Sequence, residues 1–154
     1  MPRSQNLFPN VAAFLDMIAY SEGTKGKGDD GYNEIVGGTF FKSYSDHPRQ
    51  IIQVNKNLKS SAAGRYQELI HNFDVYKNQL HLSDFSPIAQ DAIAIQQIKE
   101  CKAFQLIVDG YIQQAIMLCA HIWASFPGAG YNQHENKIDN LIAKFKEFGG
   151  TVKS

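Results

Sequence analysis

Two kinds of apolar spacing divide the sequence, and their order constrains the fold. Apolar residues recur at helical intervals from about Asn10 to Glu22, and helical spacing returns from about Ala62 onward. Between these parts, residues 32–55 hold short apolar runs around a Gly-Gly pair, a pattern typical of a β-hairpin. Strand signals segregated from helical ones predict an α+β fold, with a small antiparallel sheet lobe beside a mainly helical lobe. We expect a ligand groove between the lobes.

The central segment predicts one small sheet, exposed on one side. The runs on either side of the Gly-Gly pair would form its hairpin, and QIIQVN (50–55) would add a third strand. The polar, glycine-rich residues 24–31 lie before it and are expected to form a mobile, exposed loop.

Cap signals and apolar spacing predict the helices. Asn10 is a fitting N-cap for the first helix, and a second is predicted over 62–79. Ser86 followed by Pro87 predicts the start of a third. The expected inner faces are Ile88, Ala92 and Ile95 in that helix, then Ile112, Ile116, Cys119 and Trp123, and lastly Ile138, Leu141, Ile142 and Phe145.

Length and charge limit the class of protein. The 154 residues suit one domain, which we place over 1–154. Fifteen basic and fifteen acidic residues cancel, so no overall charge favours nucleic acid or anionic lipid. No apolar run approaches the ~18 residues of a membrane span. No secretory signal pattern is visible, and we expect synthesis in a cytoplasm.

The cysteines and histidines do not indicate a metal site or a cofactor. Cys101 and Cys119 fall at apolar helical positions, which predicts two buried free thiols, with a disulfide as the alternative. The five histidines are scattered, so we assign neither a metal nor a cofactor.

Glu22 lies on the apolar side of the first helix, in its last turn. It follows Ile18 by four residues and is directly followed by Gly23, which ends the helix. Burial on that face and the negative end of the helix dipole would both raise the pKa of this carboxyl. A raised pKa suits a general acid. The alternative from spacing alone is a terminal glutamate that points into solvent.

Seven segments occur in an order that identifies a family. They are FLDMIAYSEGT, GYNEIVGG, YSDHPR, GRYQ, DFSPIAQDAIAIQQIKE, IWASFPGAGY and LIAKFKEFGGTV. From about Phe14 to Val152 the sequence resembles the lambda endolysin family of peptidoglycan lytic transglycosylases, which have a lysozyme-like fold.

The resemblance implies a reaction and a catalytic residue. The family's acid lies in a Ser-Glu-Gly motif, which here is Ser21-Glu22-Gly23. Glu22 would protonate the bond between N-acetylmuramic acid and N-acetylglucosamine. It would then take the proton from the muramic C6 hydroxyl as that oxygen attacks C1, leaving a 1,6-anhydromuramic end without the use of water.

A water-using glycosidase of the common type needs a second carboxylate ~5 to ~9 Å from the first. Asp29 and Asp30 belong to the glycine-rich loop and are expected to face solvent. Glu34 begins a strand and is expected to point outward, and Asp46 to cap a turn. The resemblance places an acidic residue where this chain has Asn33, and a mechanism with one glutamate does not need it.

The resemblance also predicts residues that hold the glycan. Gln67 in GRYQ would line the cleft, with Tyr66 beside it. The alternatives are that Gln67 merely begins a helix and that Tyr66 packs in the core, which Tyr66 fits equally well. Tyr131 would lie over the catalytic site, with a surface tyrosine in a flexible loop as the alternative, and Ser21 would assist substrate binding. Loops near 50–60 and 127–133 would form the lips of the groove, whereas Trp123 is expected to pack in the core.

Three functions are compatible with these residues. The first is a phage or prophage endolysin that lyses the host by transglycosylation. The others are a hydrolytic muramidase on the same fold and a non-catalytic peptidoglycan-binding module. We expect a monomer. By resemblance, the protein would accumulate in the host cytoplasm, without membrane insertion, and reach the wall in the periplasm once a separate holin-type protein permeabilises the membrane.

Overall fold

The computed structural model describes residues 1–128 and 135–153, and within them it confirms the α+β architecture. Two small antiparallel sheets interrupt a series of helices. The helices are α1 (Pro9–Ser21), α2 (Ile70–Gln79), α3 (Pro87–Glu100), α4 (Phe104–Asp109), α5 (Ile112–Cys119) and α6 (Ile138–Glu147). The strands are β1 (Glu34–Ile35), β2 (Thr39–Phe40), β3 (Ile52–Asn55) and β4 (Leu58–Ser60).

Helix α1 begins one residue earlier than its expected cap. Phe8 occupies the N-cap position and Pro9 the first turn, where the missing N–H of proline costs nothing. The predicted N-cap Asn10 is therefore wrong. Its amide instead donates to the carbonyl oxygens of Ile107 (2.9 Å) and Thr151 (3.0 Å), which ties α1 to α4 and to the C-terminal segment.

The main hydrophobic core surrounds α1, which packs against α4 and α6. Apolar side chains of α1 are buried around most of its circumference, as expected for a helix enclosed by others. The predicted faces of α5 and α6 are confirmed, and Trp123 is buried as expected. The buried members are Ile112, Ile116, Cys119, Trp123, Leu141 and Phe145, with Ile138 and Ile142 half-buried against them.

The predicted three-stranded sheet is wrong in its pairing. Strands β1 and β2 form the expected antiparallel hairpin, in which Gly37 and Gly38 both have positive φ. Strand β3 pairs with β4, not with the first hairpin. A short turn closes the β3–β4 pair at little entropic cost, so β3 pairs with its sequence neighbour.

The predicted helix over 62–79 starts later than expected. Residues 63–68 form a reversal instead, closed by backbone bonds in both directions between Ala63 and Glu68. Gly64 and Gln67 take positive φ (83° and 55°), a conformation incompatible with a helix. Helix α2 therefore begins only at Ile70.

Helix α3 begins as predicted, because the Ser86 hydroxyl accepts the Ala89 N–H ahead of Pro87. The prediction of its inner face is wrong, because Ile88, which was expected to point inward, is 63% exposed. The helix is rotated so that it buries polar side chains that bond to other segments. Its buried residues are Ala89, Gln90, Asp91, Ile93, Ala94, Gln97 and Ile98.

A buried guanidinium connects the helical and sheet regions. The Arg65 side chain is 0% exposed and pairs with Asp16 of α1 (2.7 Å) and with Asp30 (3.1 Å). Its Nε also donates to the carbonyl oxygen of Asp30, and its own carbonyl accepts the Thr24 hydroxyl (2.6 Å). The 24–31 loop is therefore bonded to the protein at both ends, and the expectation that it is wholly exposed is wrong.

Replacing Arg65 by Met should lower the free energy of unfolding by about 3–5 kcal/mol, because Asp16 would lose its buried cation and keep only the exposed N-terminal ammonium as a partner. Urea unfolding followed by circular dichroism measures this loss. Arg49 is the matched control, since its pairs with Asp46 and Asp74 are exposed. Arg49→Met should cost less than about 1 kcal/mol, and equal losses in the two variants would contradict the assignment.

Candidate active site

Glu22 lies at the carboxyl end of α1, as predicted. It is the C-cap residue, its N–H donates to the Ile18 carbonyl oxygen (2.8 Å), and Gly23 follows with a φ of 79°. That positive φ turns the chain away from the helix axis at once. The Glu22 side chain is thereby left at the boundary between the two lobes.

Glu22 faces a cavity of about 500 Å³ between the sheet lobe and the helical lobe. This confirms that a groove runs between the lobes. Its walls are mainly apolar, and Gln67 and Asn72 add amide groups. The sheet side contributes Val36, Val54 and Leu58, and the helical side contributes His121, Ile122 and Ala124.

Burial raises the pKa of Glu22 to about 7, and hydrogen bonds from Ser125 oppose part of this rise. The predicted direction is confirmed. A carboxyl with such a pKa holds its proton in a large fraction of molecules near neutral pH, as a general acid requires.

A chain of hydrogen bonds ends on one oxygen of Glu22. The Ser125 hydroxyl donates to Glu22 Oε2, and Ser21 Oγ lies 2.7 Å from Ser125 Oγ. Asn136 donates its amide to Ser21 Oγ (3.1 Å), so the Ser21 proton is free to point at Ser125. The chain therefore connects Asn136 and Ser21 to Oε2 of the carboxyl.

Ser125 and Asn136 were not predicted as site residues. Ser125 lies inside the IWASFPGAGY segment, and only that resemblance could have pointed to it. Ser21 is buried and its hydroxyl is engaged within the protein, so the contact expected between Ser21 and substrate stays a prediction.

Gln67 lines the same cavity as Glu22. The tight 64–67 turn presents it, and its Nε2 donates back to the Gly64 carbonyl oxygen (2.9 Å). This bond fixes the orientation of the amide. The alternative that Gln67 merely begins a helix is wrong.

Tyr66 lies in the core, the alternative that the sequence left open. It is 1% exposed, its hydroxyl donates to Asp91 Oδ1 (2.6 Å), and its carbonyl oxygen accepts the Trp123 indole N–H (3.1 Å). These bonds anchor the turn beside Gln67. Tyr131 lies outside the described residues, as does most of the predicted 127–133 lip.

The four acids considered from the sequence do not line the cavity with Glu22. Asp29 pairs with Arg3, and Asp46 accepts the His47 N–H and pairs with Arg49. The outward orientation expected for Glu34 is wrong: it is buried, and burial raises its pKa. Over residues 1–128 and 135–153, Glu22 is the single carboxyl on the cavity wall.

Glu68 is an acid that the sequence did not single out. It directly follows Gln67, is 3% exposed, and accepts a hydrogen bond from Gln97 Nε2 (2.9 Å). Burial raises the pKa of Glu68 to about 8. The predicted helix over 62–79 gave no reason to expect a buried acid at Glu68. Its side chain turns inward because residues 63–68 form a reversal instead.

In the part of the chain that the structure describes, no group of three or more His, Cys, Asp or Glu side chains could hold a metal ion. No described helix is long and apolar enough to cross a membrane. Cys101 and Cys119 are buried and free, as predicted, and Cys101 Sγ lies 3.8 Å from His121 Nε2.

Comparison with known proteins identifies close relatives. The Endolysin family profile matches residues 12–152. The endolysin of Escherichia phage lambda is 57% identical over 145 residues, covering 92% of each chain. The endolysin of Escherichia phage P2 is 44% identical over 158 aligned positions, covering 94% of this chain and 96% of the relative.

Two solved structures are similar over 97% of this chain and 100% of theirs. Bacteriophage lambda lysozyme complexed with a chitohexasaccharide has a TM-score of 0.94 at 54% identity. Lysozyme from bacteriophage lambda has a TM-score of 0.89 at 53% identity. Because the family profile and both relatives align over nearly the whole sequence, the chain belongs to the Endolysin family and has the lysozyme-like α+β fold.

Proposed function

We propose that this endolysin is a peptidoglycan lytic transglycosylase in which Glu22 is the only catalytic acid. Family membership implies a glycosidase that cleaves peptidoglycan. The observation that supports transglycosylation by a single acid is that the described cavity wall carries one carboxyl, Glu22, whose pKa burial raises to about 7. A relative bound to a chitohexasaccharide supports a glycan as the ligand of this cavity.

In the first step, Glu22 donates its proton to the glycosidic oxygen. Oε1 would be the donor, since the Ser125 hydroxyl already bonds Oε2. The bond between muramic C1 and that oxygen breaks, and N-acetylglucosamine leaves with the proton. The muramic N-acetyl oxygen would stabilise the positive charge that develops at C1, as in substrate-assisted glycosidases.

In the second step, the muramic C6 oxygen bonds to C1, and its hydroxyl proton returns to Glu22. Glu22 is then protonated again, and no water is consumed. One carboxyl suffices because the nucleophile belongs to the substrate and is tethered to the reacting ring. A hydrolase of the common type would need a second carboxylate ~5 to ~9 Å away. The described cavity wall does not provide one.

The supporting residues have separate proposed roles. Gln67 would hydrogen-bond the sugar beside the scissile bond, since it lines the cavity with Glu22. Tyr131 would cover the site from the 127–133 lip. Ser21 would assist substrate binding and would also act on Glu22 through Ser125. Tyr66 would act from inside the protein, through the turn that carries Gln67.

We further propose that residues 1–154 act as one catalytic domain and as a monomer. The protein would accumulate in the cytoplasm of the host and lyse it after a holin-type protein opens the membrane. These statements follow from the resemblance to phage endolysins.

The chemical form of the new glycan ends tests the proposed reaction. Purified peptidoglycan digested by the protein should yield 1,6-anhydromuramic ends, lighter by one water than hydrolytic products. Mass spectrometry of the separated fragments distinguishes the two. Reducing muramic ends as the main product would establish the hydrolytic muramidase instead.

Replacing Glu22 by Gln keeps the shape of the side chain but removes the transferable proton. The rate of peptidoglycan digestion should fall by about 10²–10⁴-fold. Sedimentation with insoluble peptidoglycan should show unchanged binding. A variant that still lyses permeabilised cells at the normal rate would favour the non-catalytic binding module.

Replacing Ser125 by Ala removes the hydroxyl hydrogen bond that lowers the pKa of Glu22 and keeps the hydrogen bond from the Ser125 backbone. The carboxyl should then hold its proton to higher pH, so the alkaline fall in activity should move upward by about one pH unit. Digestion rates measured across pH report the shift. Ser43→Ala is the control, because Ser43 is exposed and its hydroxyl bonds the neighbouring Ser45. A shift toward lower pH in Ser125→Ala would contradict the assigned role.

A further inference from the structure

Glu68 forms an incomplete pair with Gln97 beneath the catalytic cavity. Both side chains are buried, and Gln97 Nε2 donates to Glu68 Oε1 at 2.9 Å. The remaining oxygens of the pair, Glu68 Oε2 and Gln97 Oε1, are both buried without a hydrogen-bond partner. Two unpartnered oxygens on one bonded pair call for a common explanation, because each is costly when buried.

One proton satisfies both oxygens. A carboxylate cannot donate, so an ionised Glu68 leaves the Gln97 oxygen unpaired. Because Gln97 Nε2 already bonds Glu68 Oε1, a proton on Glu68 Oε2 would let the acid and the amide exchange two hydrogen bonds. We propose that Glu68 is a positioning residue, kept as a neutral carboxylic acid at neutral pH, whose pair with Gln97 holds the turn that presents Gln67 beside Glu22.

The backbone of Glu68 shows how the pair reaches the cavity. Its N–H donates to the Ala63 carbonyl oxygen (2.8 Å), and its own carbonyl accepts the Ala63 N–H (3.1 Å) and a His47 Nε2–H at 2.9 Å. Glu68 therefore closes the reversal from which Gln67 points into the cavity. Fixing the Glu68 side chain to α3 fixes the base of that reversal.

The charged and titratable groups around Glu68 favour its neutral form. Glu22, at the end of α1, raises the pKa of Glu68 when it is ionised. His47 is neutral, since its Nδ1 accepts the Arg49 N–H while Nε2 donates, and burial lowers its pKa. Tyr76 of α2 bonds Glu100 and supplies no positive charge. Burial, the largest influence, and Glu22 raise the pKa of Glu68, whereas the hydrogen bond from Gln97 lowers it, and none of these influences is a cation.

A neutral Glu68 also favours the proposed transglycosylation, and this consequence rests on that proposed function. Glu22 must become a carboxylate briefly and then regain a proton. A second negative charge nearby would oppose that step and raise the pKa of Glu22. Because Glu68 keeps its proton, the site carries at most one negative charge, that of Glu22.

Carbon-13 NMR of labelled glutamate carboxyls tests the protonation state directly and does not depend on the reaction. The Glu68 signal, assigned by its loss in Glu68→Gln, should titrate near pH 8. In Glu22→Gln its midpoint should fall, because the charge that raises it is gone. A Glu68 midpoint near the ordinary 4.5 would overturn the proposal, whatever glycan ends the enzyme makes.

Two substitutions test the positioning role. Glu68→Leu leaves both Gln97 groups unpaired and should slow digestion by roughly tenfold. Glu68→Gln, a neutral replacement of similar shape, should restore the rate and keep the alkaline limb of the pH profile in place. A limb that moves to lower pH in Glu68→Gln would show that Glu68 is charged in the native enzyme. That result, or a failure of Gln to restore what Leu loses, would overturn the role.

Stability across pH supplies a further readout. A carboxyl with a raised pKa in the folded state stabilises most below its unfolded pKa and loses that contribution as pH rises through the folded value. For Glu68 this window runs from about 4.5 to about 8. The melting temperature of Glu68→Gln should therefore fall less across this window than that of the unchanged protein. If the melting temperatures of the two proteins fell equally across this pH window, the proposal would be overturned.

Discussion

The buried pairing of Arg65 holds together the parts from which the active site is built. Its guanidinium joins α1 through Asp16 and the following loop through Asp30, and it belongs to the turn that ends in Gln67. A fully buried cation is tolerated only when such partners compensate its lost hydration. The same contacts that satisfy this charge therefore set the distance between the end of α1, with Glu22, and the Gln67 turn.

Three acids, Asp16, Glu22 and Glu68, differ in whether a cation pairs with them. Asp16 faces Arg65, so its negative charge is compensated. Glu22 and Glu68 have no such partner among the groups that shift their pKa, and burial raises both values. One of these protons faces the cavity, where a substrate oxygen can take it, and the other is enclosed against Gln97. The environment therefore suits one carboxyl for acid catalysis and the other for structure.

Sequence patterns predicted the features that depend on near neighbours. The end of α1 at Glu22 and the Ser86 start of α3 follow from spacing and capping, and both are present. The reversal at 63–68 and the rotation of α3 were not predictable in this way. They depend on polar partners distant in sequence, such as the Gln97 bond to Glu68 and the Gln90 bond to Arg65. Apolar periodicity carries no information about such bonds, so it placed the wrong face of α3 inward.

The central claim is that burial turns Glu22 into a proton donor near neutral pH. The most direct test is a carbon-13 NMR titration of its carboxyl in the intact protein, assigned by comparison with Glu22→Gln. We predict a midpoint of about 7. A midpoint near 4.5, the ordinary value for a glutamate in water, would mean that Glu22 is ionised at neutral pH and would contradict the account.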